Sequence, residues 1–454
     1  MMKHSILFLA ALTVVGCAST TPVERPSLEI PANWRSPVVE PAGHAAPWTG
    51  LFTQPELAKL IETALAGNRN LRAAAARVDQ AAASYGVQRA NRFPQLGAQA
   101  TATRGKTTTA RGRDNALYSN GQVAGVLSWE LDLWGRLADQ SEAARQSWLS
   151  SEETYRASQV SLSSQVAQTW LQLLLLDEQY RVATRTVESQ KTSMSLVEKR
   201  YKGGVASLVD MNQARSVLAA SEASLADIAR SRTQTENALA ILIGKSPQEI
   251  PRSVNLQSLT RPAQLPAALP AALIAARPDI RAAERALEST QRNVSAAKKA
   301  WLPSFSLTGM LGWASLDLSR VVASGHEAWA TGGAVNLPLF NGGAISAQID
   351  MSEARQWEAA ENYAGTVLQA LADVENALVS YQRVSEQTAA LERRATATRE
   401  RVRLADMRYR AGVADYSEVL YAQQDLLSTE LNAVQAAGSV QLALVQLYAA
   451  LGGN

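Results

Sequence analysis

A segment that occurs twice sets the plan of this chain. Arg200-Tyr201-Lys202-Gly203-Gly204-Val205-Ala206-Ser207-Leu208-Val209-Asp210 returns as Arg408-Tyr409-Arg410-Ala411-Gly412-Val413-Ala414-Asp415-Tyr416-Ser417-Glu418, an offset of 408 − 200 = 208. The offset also relates Leu218 to Leu426 and Gly244 to Gly452. Each copy reads as a helix end, a glycine turn and a new helix. Basic residues suit the negative end of the first helix dipole. Gly204 and Gly412 supply the left-handed residue that stops it. Ser207 or Asp415 can cap the next helix, with Asp210 or Glu418 near its positive end. A chain of 454 residues would ordinarily hold two or three globular domains. The duplication predicts two similar halves of one architecture instead.

The helices on either side of the turns are long. One is expected from about Trp134 to Lys202 and another from about Gly343 to Arg410. At ~1.5 Å rise per residue, each is on the order of 100 Å long. Val367, Leu371, Val374, Leu378 and Tyr381 follow the 4, 3, 4, 3 spacing of a coiled coil, and Val166, Trp170 and Leu173 match them in the first half. Beyond each turn a shorter helix returns, Leu208 to Ile243 and Tyr416 to Leu451.

Before each long helix the period changes to two. Leu96, Ala98, Ala100 and Ala102 alternate with Gly97, Gln99, Thr101 and Thr103. Val123, Gly125, Leu127, Trp129 and Leu131 form a second alternating run. Phe305, Leu307, Gly309, Leu311 and Trp313 form a third, and Trp329, Thr331, Gly333, Val335 and Leu337 a fourth. These are strands with one apolar and one largely polar face. A small soluble sheet has that pattern, and so does a membrane β-barrel. In lipid, four strands cannot close, so several chains would have to pool them. Trp129, Trp313 and Trp329 fall on the apolar side, as interface aromatics would.

The N-terminal stretch reads as an address. Lys3 precedes an apolar run from Ile6 to Val15 that is too short to span a bilayer, and Val14-Val15-Gly16-Cys17 closes it. Cys17 is the only cysteine, so no intrachain disulfide is possible. The junction resembles a bacterial lipobox, which implies cleavage before Cys17 and acylation there. Ala18 follows rather than Asp, which points to the outer membrane of a Gram-negative cell. Residues 18 to 50 carry six prolines, an extended tether that Trp34 and Trp48 pin to the body. Five more prolines between 245 and 270 mark a linker between the halves, and a helix from Ala271 to Lys299 follows. The expected organisation is a signal peptide over 1–16, a lipidated tether over 17–50 and a first half over 51–245. A linker over 246–270 and a second half over 271–454 complete it. The hairpins fall at about 94–131 and 303–338, and the turns at about 203–207 and 411–415.

Together these pieces resemble the TolC family of outer-membrane efflux proteins, in particular its acylated OprM/NodT-like branch. The carriers are Arg277-Pro278-Asp279-Ile280, Trp301-Leu302-Pro303, Leu339-Phe340-Asn341-Gly342-Gly343 and the paired turns, in order across nearly the whole chain. The resemblance implies a mainly α fold with a membrane β-barrel portion. It further implies that three chains share a 12-stranded barrel and a tunnel of long helices, with the linker in a belt around it. The implied function is a passive duct for small molecules such as drugs. The implied partners are a homotrimer mate, a periplasmic adaptor (membrane fusion) protein and an inner-membrane pump of RND type. The adaptor would dock at Gly203, Gly204, Val205, Ala411, Gly412 and Val413. A periplasmic gate would use Asp210 and Glu418 with Asp415, Tyr201 and Tyr409. Ala414 stands where relatives often carry a charge.

Other classes fit less well. With 44 basic and 41 acidic residues the net charge is +3, so nothing suggests nucleic acid. Beyond the leader the histidines are His44 and His326, and no paired-His metal spacing, nucleophile elbow or phosphate loop is present. The expectation is a non-enzyme with no metal and no cofactor apart from covalent lipid. A protein-secretion duct stays open as an alternative. So does a non-conducting coiled-coil scaffold lipoprotein, although that would not need four alternating strands.

Overall fold

The computed structural model describes residues 26–36, 54–108, 115–259 and 270–453. Helices α1 (Pro55–Gly67) and α2 (Arg69–Ala90) lead into strands β1 (Gln95–Thr108) and β2 (Asn115–Leu131). Helix α3 (Arg136–Lys202), helix α4 (Leu208–Leu242) and a 3-10 turn at Leu256–Ser258 come next. Helices α5 (Pro270–Ala276) and α6 (Pro278–Lys298) precede β3 (Ser304–Ser315) and β4 (Glu327–Asn336). Helices α7 (Ala344–Arg410) and α8 (Tyr416–Ala450) complete the chain. The strands, the long helices and the two turns stand where the periodicities place them.

The expected single helix over 271–299 is two helices, with Arg277 between them. Pro278 opens α6 at its first position, where a missing N–H costs nothing. The same ring disfavours helical geometry at the preceding residue, so α5 cannot run on through Arg277.

Two compact units divide the described residues, and each draws on both halves of the duplication. The first is built on Ala76–Glu153 and Arg281–Gly365. It holds a four-stranded antiparallel sheet in the order β1-β2-β3-β4. Chain entry to α3 is fixed by Asp132, whose carboxylate accepts from the amides of Leu137 (3.0 Å) and Ala138 (2.7 Å). Trp134 donates its indole N–H to the Pro303 carbonyl at 2.7 Å. The start of α3 packs on α6 through small and polar groups. Ser289 donates to the Ala143 carbonyl, and the buried Asp139 receives the Lys299 ammonium at 2.6 Å.

The second unit is built on Glu29–Ala75, Thr154–Ile280 and Thr366–Asn454. Leu57, Ala64 and Leu71 from α1 and α2 pack on Val166, Trp170, Leu173 and Leu174 of α3, with Leu239 of α4 and Val445 of α8. Spacings of three and four residues place these side chains on single helix faces. Asn68 ends α1 and ties it to α4. Its Oδ1 accepts from Leu71 N–H at 3.0 Å, and its Nδ2 donates to the Leu242 carbonyl at 2.9 Å. The end of α4 lies so close that a Cβ on Gly244 would stand 2.3 Å from the Gly67 carbonyl oxygen. The heptad positions Val367, Val374 and Leu378 of α7 are buried. Helix α8 buries Val440, Leu444, Val445, Leu447 and Tyr448.

The segment between the halves is held by charge. Arg252 bonds Asp177, and Glu236 at 2.7 Å. Burial acts to raise the Asp177 carboxyl, but the guanidiniums of Arg252 and Arg232 outweigh it and hold the group below its ordinary value. Arg277 donates to the Ala450 carbonyl at 2.9 Å and pairs with Asp279 and Asp373. The N-terminal segment is pinned to α7, where the Arg35 and Ser36 amides and the Ser36 hydroxyl all donate to Glu375. Trp48 and Cys17 lie outside the described residues.

Candidate functional site

Two features of the structure bear on function, and they belong to different units. The first is the pair of turns. Helix α3 ends in Lys199, Arg200 and Lys202, and Gly204 adopts φ +75°. Its N–H reaches back to the Tyr201 carbonyl (2.9 Å), and that of Val205 to Arg200 (2.8 Å). The second turn repeats this. Gly412 has φ +77°, its N–H donates to Tyr409 (3.0 Å), and Val413 donates to Arg408 (3.1 Å). Nothing lies within 4 Å of a Cβ built on either glycine, so backbone conformation alone requires glycine there. Gly203, Gly204, Val205, Ala411, Gly412 and Val413 are all exposed, the two valines at 72% and 68%.

The two copies differ in their caps. Ser207 forms a full capping box, in which its hydroxyl accepts from Asp210 N–H while Asp210 Oδ2 accepts from Ser207 N–H at 2.9 Å. Asp415, expected to cap in the same way, makes no side-chain cap bond. The acid of that first turn, Glu418, is exposed and lies 3.4 Å from Arg408.

The two tyrosines also differ. Tyr201 is exposed at 38%, whereas Tyr409 is buried. Tyr409 joins Val197, Met211, Ala214, Ala405, Tyr416 and Val419 in an apolar cluster linking the two turns within one chain. The Arg200 guanidinium stands 4.5 Å from the Tyr409 ring centroid and donates to the Tyr409 carbonyl at 3.2 Å. Tyr416 packs against Tyr409 with centroids 5.1 Å apart. Its buried hydroxyl has no hydrogen-bond partner among the described residues. Burial first, then Tyr409, Asp210 and Asp406, push its pKa up to about 12. Residues that sequence reasoning did not single out hold α7 to α8. Asp425 bonds Arg394 (2.9 Å) and Arg401 (3.0 Å), and the buried Glu430 bonds Arg399 (2.6 Å) and Arg185 of α3 (2.9 Å). A carboxylate inside the apolar stretch of α8 was the available signal for Glu430.

The second feature is the sheet. Its register sets the apolar alternates of all four strands on one face. Ala98 lies opposite Gly125, Gly125 opposite Leu311, and Leu311 opposite Trp329. Leu96 pairs with Leu127, Trp129 with Leu307, and Phe305 with Val335. Among the described residues this face is covered at its loop end, beside Gly121, and otherwise left open, with Leu96, Leu311, Trp329 and Val335 64–80% exposed. A monomeric soluble protein rarely leaves so large an apolar surface bare. The opposite face carries Gln99, Thr101, Gln122, Ser128, Ser306 and Thr308. Among the described residues, strands β1 and β4 are both unpaired along their outer edges.

A family model described as outer membrane efflux protein matches residues 60–245 and 269–453, the two halves of the duplication. The chain belongs to the outer membrane efflux protein family. It is 32% identical to the outer membrane protein OprJ of Pseudomonas aeruginosa, over 98% of this chain and 95% of that one. It is also 32% identical to the cation efflux system protein CusC of Escherichia coli, over 98% of both. A crystal structure of a membrane protein from Pseudomonas aeruginosa superposes with a TM-score of 0.88 at 32% identity, covering 96% of this chain and all of that one. The place of an outer membrane efflux protein is the outer membrane and its work is efflux. The exposed face of the sheet is therefore its lipid-facing side. Among the described residues no three His, Cys, Asp or Glu side chains converge as a metal site would require.

Proposed function

We propose that three copies of this chain form a passive exit duct in a tripartite efflux system. The sheet carries the reading. Lipid suits its apolar face but does not tolerate its two open edges. Pooling three sheets gives twelve strands, closes the edges and leaves a lumen lined by the polar face. The long helices would then continue that lumen through the periplasm. The exposed turns are the docking points for a periplasmic adaptor, and an inner-membrane pump of RND class supplies the energy. The chain itself performs no chemistry. Three copies each of Asp210 and Glu418 around a common axis would form acidic rings at the inner end, next to Asp415, Tyr201 and Tyr409. Acylation at Cys17 would anchor the chain further, and it is the only covalent group the function calls for. The cargo is small molecules toxic to the cell. One relative is named for cation efflux and another, TtgC of Pseudomonas putida, for toluene efflux, which fits a common duct whose cargo is chosen by the pump. Reconstitution into planar bilayers tests the proposal. We expect discrete, long-lived conductance steps, and a protein that inserts but never conducts would overturn it.

A further inference from the structure

The apolar face of the sheet ends in cations at its loop end. The side of β1 that carries Leu96, Ala98, Ala100 and Ala102 continues with Arg104 and Lys106, both exposed. Arg104 lies opposite Ser119 of β2, and Lys106 lies opposite Leu117. The 3-10 turn Leu318–Arg320 folds over the same face, because a Cβ on Gly121 would meet the side chains of Val321 and Leu318. Gly121 is two residues from Ser119, so that turn brings Arg320, 72% exposed, to the same end of the face.

Among the described residues, acids at this end leave two of the three cations unpaired, Asp317 being a partner of Arg320 alone. Arg104 and Lys106 have no carboxylate partner among the described residues. Asp317 stands 3.8 Å from Arg320 and accepts from the amide and hydroxyl of Ser319. Glu327, on the far strand, accepts from the Gly325 amide. At the helix end the same face carries Leu131, Phe305 and Val335, and Arg136 there is paired with Glu130 at 2.7 Å.

Strand length sets the depth of the cations. Ser119 stands twelve residues from Leu131 along β2. At ~3.3 Å rise and a tilt of roughly 40°, that span is about 30 Å along a membrane normal, the thickness of the hydrocarbon layer. A cation on the lipid face is costly at mid-depth and nearly free near the interface. The apolar band thus ends at the level where head groups begin.

We propose that Arg104, Lys106 and Arg320 bind the phosphate-bearing head group of an outer-leaflet lipid. This rests on the duct reading, in which the sheet spans the outer membrane with its helices on the periplasmic side. The outer leaflet there presents phosphorylated glycolipid. Two guanidiniums offer paired N–H donors to phosphate oxygens, and the lysine adds a compact charge. Long basic side chains on a lipid-facing surface reach up to that layer while their stems stay among the acyl chains.

The test is lipid binding to the intact protein in detergent, followed by native mass spectrometry, with lipid A as the probe. Phosphatidylcholine and inorganic phosphate serve as separate arms. We expect lipid A to stay bound and the other two to leave no adduct. The variant R104S/K106S/R320S should bind lipid A about fivefold more weakly per cation removed, roughly a hundredfold in total. The variant K191S/R383S/R393S, which removes equal charge from the helices, should bind like the wild type. Equal binding by both variants would overturn the proposal, and so would equal binding of phosphatidylcholine and lipid A. Saturation by inorganic phosphate alone would show a free anion site instead. Flotation of each protein with vesicles runs in parallel. Failure of the wild type to float would indict the membrane reading itself, whereas normal flotation without lipid A preference would indict only this site.

Discussion

Tyr416 carries a buried hydroxyl without a partner among the described residues, and such a group costs stability. Tyr416→Phe should raise stability at neutral pH by about 1 kcal/mol, read as a higher thermal midpoint. Its pH dependence has a definite sign. The folded pKa is raised from 10.0 to about 12, so the neutral form is favoured in the fold. That contribution is whole below pH 10 and is lost as pH rises toward 12. Tyr416→Phe should therefore flatten the alkaline side of the stability profile. An unchanged alkaline limb would mean the ring is hydrated in the assembly. Asp177 has the opposite sign. Its folded pKa lies below 3.8, so its contribution is present above that value and lost as pH falls through the folded pKa. Asp177→Asn should be less stable than wild type at pH 6, and the gap should close in acid below pH 4. A gap independent of pH would mean the carboxylate charge is not what matters. Neither residue stood out in the sequence. Asp177 is defined by Arg252, far along the chain, and Tyr416 by burial in a cluster with Met211 and Ala214 of α4, and sequence periodicity does not record which distant segments meet.

The turns show how far local chemistry can be read. Gly204 and Gly412 were legible as left-handed stops because one residue's backbone geometry decides the matter. The link between Arg200 and Tyr409 was not legible, since it depends on the relative register of two long helices. The difference between Ser207 and Asp415 as caps was likewise hidden in matching positions. Gly412→Pro removes both the positive φ and the N–H that donates to Tyr409. It should abolish drug resistance in an efflux-dependent strain while trimer yield stays nearly intact. Undiminished resistance would count against docking at this turn. The acids make a separate prediction. Asp210→Ala combined with Glu418→Ala should lower the cation preference of single channels, because six carboxylates would leave the inner end of a trimer. Wild-type ion preference in that variant would place the narrowing elsewhere.

For the whole molecule, the strands and the duplication were the legible part. Period-two runs identified four strands, and the register confirms that their apolar alternates share one face. The sequence left open whether that face meets a core or lipid, since both produce the same alternation. The exposure of Leu96, Leu311, Trp329 and Val335 decides it together with the family. What a single chain cannot do is close its sheet. The account therefore depends on copies joining through β1 and β4. Light scattering of the detergent-solubilised protein, with the detergent contribution subtracted, tests this most directly. The account predicts a single species whose protein mass is that of three chains, each at most 48.7 kDa. A monodisperse, folded particle with the mass of one chain would contradict it.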